Sequence, residues 1–129
     1  LAPVICYELL SDLLVQNAAK TSNFLVVQTN SATFSGTSES AQQLNITRLR
    51  ALENAREIVS ISTIGISAHI GINGEVLSRT SENVSAQLSG DLHSNSIRTM
   101  ANLLGGFAPV FILLTSILFP LLVRIVRSR

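Results

Sequence analysis

No ionisable side chain occurs between Arg98 and Arg124, and most residues from Leu103 to Val123 are Leu, Ile, Val or Phe. A charge-free run of this length favours hydrocarbon over water. Its aliphatic and Phe side chains contribute roughly −4 to −8 kcal/mol of insertion free energy, which Pro109, Pro120, Gly105, Gly106 and the hydroxyl residues only partly offset. The pattern predicts a transmembrane segment over 99–123. Arg124, Arg127 and Arg129 follow it without an acid, so the basic tail, 124–129, is expected on the cytoplasmic side and the remainder of the chain outside.

Residues 1–98 are then left to build one folded domain. The 129-residue chain is 47% hydrophobic with a formal charge of +1, which argues against disorder and gives no basic surface for nucleic acid. Its single cysteine, Cys6, excludes an internal disulfide and leaves a free thiol to explain. The chain opens at Leu1, its sole methionine is Met100, and a strand-like run starts at once. A fragment or a processed chain is the expectation.

Pro3-Val4-Ile5 reads as a buried strand. Leu9, Leu10, Leu13, Leu14 and Ala18 recur after it at helical spacing, so a helix is expected to run unbroken from Glu8 to about Lys20, with Cys6 at the strand-to-helix turn. Unpaired amides at a helix N-terminus favour a thiolate and can stabilise an oxyanion, which makes Cys6 a candidate nucleophile. The competing reading is a small buried hydrophobe. Phe24 to Val27 reads as a second strand, and the strand, helix, strand order suits parallel neighbours that place Cys6 and Asn30 at adjacent carboxyl ends.

Ser35 to Ser40 reads as a mobile loop. A helical stripe then runs from about Glu39 to Val59 through Ala41, Leu44, Ala51, Leu52, Ala55 and Val59, with Arg50, Glu53 and Arg56 paired on a solvated face and Arg48 in need of an acceptor. Ile61 to Ile72 reads as a strand turned by Asn73-Gly74 into a return strand at Val76-Leu77. Ala86 to Leu92 reads as a further short strand. His69 and His93 read as structural or surface residues. No glycine-rich phosphate loop or metal-ligand spacing occurs, so neither cofactor nor metal is expected.

Ile5-Cys6-Tyr7-Glu8 resembles the nucleophile motif of the carbon-nitrogen hydrolase, or nitrilase, superfamily, and within it that of the apolipoprotein N-acyltransferases. The likeness continues through Thr29-Asn30, through Arg48-Leu49-Arg50-Ala51-Leu52-Glu53-Asn54-Ala55-Arg56, and through Thr63-Ile64-Gly65-Ile66-Ser67-Ala68 before Asn73-Gly74. The ordered set favours the nucleophile reading of Cys6. Where the family often has an acid and a tryptophan after its asparagine, this chain has Ser31 and Thr33.

The resemblance implies a partial α-β-β-α sandwich over 1–98, followed by one C-terminal transmembrane helix over 99–123. It implies a thioester on Cys6, with Tyr7, Glu8 and Asn30 supporting the pocket. A phospholipid would donate the acyl chain and a diacylglyceryl-cysteine lipoprotein would accept it on its free amine, at the outer side of a bacterial cell membrane. The family's general-base glutamate and oxyanion lysine precede its cysteine in the chain. Only five residues precede Cys6, and Lys20, roughly 18 Å from Glu8 along an unbroken helix, cannot replace that lysine. The chain alone is therefore expected to be inactive and to require an N-terminal part of the same protein. The alternatives are a membrane-tethered amidase or nitrilase, and a non-catalytic half-domain of a split or decayed protein.

Overall fold

The computed structural model describes residues 1–105 and 107–127. Gly106, Ser128 and Arg129 lie outside the described residues, so the end of the expected basic tail goes undescribed.

Five strands form one sheet in the order β1-β2-β3-β4-β5: Ala2–Ile5, Phe24–Thr29, Glu57–Ser62, Ala68–Ile70 and Val76–Arg79. The first three are parallel, with Val4 opposite Val27 and Val27 opposite Ser60. The last two add antiparallel, with Val59 opposite His69 and His69 opposite Ser78. Helices α1 (Asp12–Lys20) and α2 (Glu39–Asn54) cross between the parallel strands and pack on the sheet. They cover a continuous core of Val4, Leu9, Val15, Leu25, Val27, Leu44, Ala51, Ile58, Ala68 and Ile70. Alternate strand residues therefore point toward α1 and α2, as the two-residue period of a strand requires. With α1 and α2, the five strands form one helix layer on one sheet, an α/β arrangement.

The expected hairpin is present. Gly74, at φ +75, turns the chain between β4 and β5, and Gly71 N–H donates to the Glu75 carbonyl at 2.9 Å. A Cβ at Gly74 would stand 2.8 Å from the Arg48 carbonyl oxygen, so the turn needs glycine for both its conformation and its close approach to α2.

Four expectations are corrected. The first helix is broken: Cys6–Leu10 form a 3-10 turn, Ser11 is extended (φ −85, ψ 109), and α1 begins only at Asp12. Cys6 thus lacks an α-helix N-terminus beside it. The stripe from Glu39 to Val59 ends as a helix at Asn54, because Ala55 turns left-handed (φ 47) and β3 takes up the β-branched run Ile58-Val59. Ile61 to Ile72 divides between β3 and β4, with a bend at Thr63–Gly65 between them. Ala86 to Leu92 has no regular structure.

The expected transmembrane segment at 99–123 is not one helix. Helix α3 (Met100–Leu104) ends at Gly105, and α4 (Ala108–Arg127) starts afresh and already carries Arg124 and Arg127. Its charge-free part, Ala108 to Val123, is about 24 Å long at roughly 1.5 Å per residue, short of the ~30 Å hydrocarbon core. Among the described residues no helix is long and apolar enough to cross a membrane.

Candidate functional site

The first parallel strand delivers Cys6 to the end of the sheet. Cys6 is exposed and left-handed at φ 48, a conformation that costs a non-glycine residue about 1 kcal/mol or more. The neighbours that impose it are identifiable. Glu8 Oε2 accepts from Ile5 N–H at 2.8 Å, closing the turn around Cys6. Arg50 then fixes the far end of the turn, donating from Nε to the Leu9 carbonyl at 2.9 Å and from Nη2 to the Leu10 carbonyl at 3.1 Å. Buried Arg50 also pairs with Asp12 and Glu53, both at 2.7 Å. One guanidinium thereby joins α2 to the segment that carries the thiol.

The thiol borders a cleft of about 270 Å³ between the 3-10 turn and α2. Cys6, Tyr7, Leu9 and Leu10 of the turn line it together with Phe34 and with Glu39, Gln42, Gln43 and Ile46 of α2. The last four share one face of α2, spaced three and four residues apart. The cleft is mostly apolar. Gln43 is fixed by buried Ser31, whose hydroxyl donates to Gln43 Oε1 at 3.3 Å, and Ser62 donates in turn to Ser31 at 3.4 Å. Gly65 closes over this hydroxyl cluster, donating its N–H to Ser62 Oγ at 2.9 Å.

The four sequence-selected residues do not all converge. Cys6 and Tyr7 line the cleft, Glu8 acts beneath it through the Ile5 amide, and Asn30 stands apart. Asn30 Oδ1 accepts from Ala32 N–H at 3.1 Å and from Thr63 Oγ1 at 2.7 Å. It ties together the loops after β2 and β3. Lys20 lies at the end of α1, donating to Asn17 at 3.4 Å, and is absent from the cleft wall. The sequence pattern places Arg50 on a solvated face, whereas it is buried, and it does not single out Glu39, Gln42, Gln43 or Ile46 as cleft residues. The signal for these four was their shared helix face, masked by the core-facing stripe through Leu44 and Ala51.

A second cluster lies on the other side of the sheet. Glu57 is buried at the start of β3, accepting from the His69 ring at 3.0 Å, the His93 ring at 2.9 Å and the His93 backbone N–H at 3.1 Å. Burial alone would raise the Glu57 carboxyl, but the His69 hydrogen bond, the two from His93 and attraction to His69 outweigh it and hold the group below the usual carboxylate range. Arg56 nearby is buried among carbonyls, including Ser22 and Ile97, both at 2.8 Å. Burial, then repulsion from Arg98, lowers it.

A family model described as carbon-nitrogen hydrolase matches residues 1–102. Proteins named apolipoprotein N-acyltransferase are among the relatives. That of Coxiella burnetii is 35% identical over 91 residues, covering 70% of this chain and 19% of that protein. That of Wigglesworthia glossinidia brevipalpis is 35% identical over 80 residues, covering 61% and 16%. That of Haemophilus influenzae is 29% identical over 122 residues, covering 94% and 23%. The chain thus spans about a fifth of the length of these relatives.

Proposed function

Because the chain belongs to the carbon-nitrogen hydrolase family, we propose that it is the nucleophile-bearing C-terminal part of an apolipoprotein N-acyltransferase. The observation that carries this reading is the exposed Cys6 thiol, held left-handed at a strand end and opening on an apolar cleft. The names of the relatives supply the reaction class.

The thiolate attacks the ester carbonyl of a phospholipid. A carbon-sulfur bond forms, the bond to the glycerol oxygen breaks, and a lysophospholipid leaves after taking a proton. The free amine of a diacylglyceryl-cysteine lipoprotein then attacks the thioester, forming an amide as the carbon-sulfur bond breaks and the nitrogen gives up a proton. Tyr7, Leu10, Phe34 and Ile46 hold the alkyl chain, while Glu8 and Asn30 shape the loops. Glu8 is committed to the Ile5 amide and Lys20 is remote from the cleft. The general base and the oxyanion cation come from the N-terminal part, which also completes the α-β-β-α sandwich.

Helix α4 holds the protein at the extracytoplasmic face of a bacterial cell membrane and reaches the lipid donor. Phe111, Ile112, Leu113, Ile117 and Phe119 are exposed along it. Thr115 and Ser116 return their hydroxyls to helix carbonyls at 2.8–3.0 Å, so their hydrogen bonds are met within the helix.

The test feeds the full-length enzyme with phospholipid and a diacylated lipopeptide and looks by mass spectrometry for an acyl adduct on Cys6. A thioester in wild type and loss of both adduct and turnover in Cys6→Ala are expected. Turnover that survives Cys6→Ala rejects the mechanism.

A further inference from the structure

The 3-10 turn that carries Cys6 is anchored on both sides of the thiol. Val4 before it and Leu9 within it are buried in the core. Glu8 Oε2 accepts from Ile5 N–H at 2.8 Å, and Arg50 donates to the carbonyls of Leu9 and Leu10 at 2.9 and 3.1 Å. The strained residue, left-handed Cys6, lies between these anchors. A non-glycine residue keeps such a conformation only while its surroundings hold it there.

Arg50 is the anchor that the turn's own sequence does not supply. Because Ser11 is extended and α1 starts afresh at Asp12, the turn ends on carbonyls that no continuing helix pairs. The guanidinium reaches two of them from α2, and Asp12 and Glu53, each at 2.7 Å, fix its own orientation. All three of its nitrogens are thereby engaged. An arginine needed only to pair with Glu53 at the helix surface would leave the turn untouched. This one is buried, and its planar fork meets the carbonyls and the carboxylates together, which a lysine cannot do.

We propose that Arg50 is a positioning residue for acyl transfer: by holding the Leu9 and Leu10 carbonyls it keeps Cys6 left-handed, with the thiol on the cleft. It touches no substrate and moves no proton. Its role in transfer rests on the acyl-transfer reading, whereas its hold on Cys6 does not. A displacement of about 1 Å can cost about a hundredfold in rate, so a relaxed turn slows attack on the ester.

Two measurements on the full-length protein compare wild type, Arg50→Lys and Asp12→Asn. Arg50→Lys keeps a cation beside Asp12 and Glu53 but loses the fork; Asp12→Asn, at an exposed carboxylate, keeps it. The first measurement needs no turnover. In protein isotope-labelled at cysteine, the Cys6 Cα and Cβ NMR resonances, assigned against Cys6→Ser, should move in Arg50→Lys and stay in Asp12→Asn. Unmoved resonances in Arg50→Lys, or an equal move in Asp12→Asn, overturn the proposal whether or not Cys6 forms a thioester. A move confined to Arg50→Lys, with no thioester in wild type, sustains the hold on Cys6 and rejects only the acyl-transfer reading.

The second measurement is single-turnover acylation of Cys6 by phosphatidylethanolamine. The rate constant should fall about ten- to a hundredfold in Arg50→Lys, with the half-saturating lipid concentration and the pH dependence unchanged. An unchanged rate constant rejects the role. So does a smaller yield of adduct formed at the wild-type rate, which is the mark of a merely structural arginine. If Arg50→Lys does not melt cooperatively, Arg50→Gln, which buries no charge, goes through the same two measurements.

Discussion

Ala55 ends α2 in a conformation that alanine disfavours. Its N–H donates to the Leu52 carbonyl at 3.4 Å while Arg56 N–H reaches back to Ala51 at 3.2 Å, the paired bonds of a helix end closed by a left-handed residue. Glycine adopts φ near +50 without the Cβ clash, at the cost of a more flexible unfolded chain. The first effect outweighs the second, and Ala55→Gly should stabilise the protein by about 0.5–1 kcal/mol. Denaturant titration with an unchanged m-value checks it; a loss of stability would mean that the Ala55 methyl makes packing contacts worth more than the strain. Cys6, left-handed at φ 48, differs in kind. Relief of strain there would alter the placement of the proposed nucleophile.

The elements that build the site were legible to different degrees, for reasons that lie in their residues. The parallel β1-α1-β2 unit and the Asn73-Gly74 hairpin follow from local patterns, apolar periodicity in the one and turn chemistry in the other. The end of α2 was hidden because its apolar stripe continues through Ile58 and Val59, which suit a strand as well as a helix. The cleft was hidden because its walls come from residues some 30 to 40 positions apart, and Arg50, which joins them, has the spacing of an ordinary surface ion pair. Glu57 was hidden in the same stripe. Its histidine partners come from β4 and from the irregular segment that leads to α3, so this carboxylate ties that segment to the sheet. Asn95 adds a hydrogen bond to the Ala55 carbonyl at 2.9 Å, and Thr99 one to Glu53.

Because the folded Glu57 pKa lies below its unfolded value of about 4.3, its contribution to stability is complete above that value and is lost as pH falls through the folded pKa. The melting temperature should therefore drop below about pH 4.3, with early proteolysis in 84–99. Glu57→Gln should be less stable at neutral pH and show a shallower acid slope. A wild-type slope retained in the variant would place the acid sensitivity elsewhere.

At the scale of the whole molecule, the apolar surface divides between the core under α1 and α2 and the unburied length of α4. Val110, Phe111, Ile112, Leu113, Leu114, Ile117, Leu118, Phe119 and Val123 are each at least 43% exposed, more contiguous apolar surface than a protein surrounded by water ordinarily displays. On the proposed reading this surface meets lipid, which does not require α4 alone to have the full thickness of a bilayer. Leu114 lies near the middle of the charge-free part, so Leu114→Asp should oppose insertion by about 3 kcal/mol, roughly a hundredfold in partition. Flotation with phosphatidylethanolamine and phosphatidylglycerol vesicles measures it. The chain should rise with the lipid, and Leu114→Asp should remain largely in the dense fraction while melting at the same temperature in detergent. If both chains float equally, at low and at high salt, α4 does not carry the membrane contact and its apolar face must cover another part of the protein.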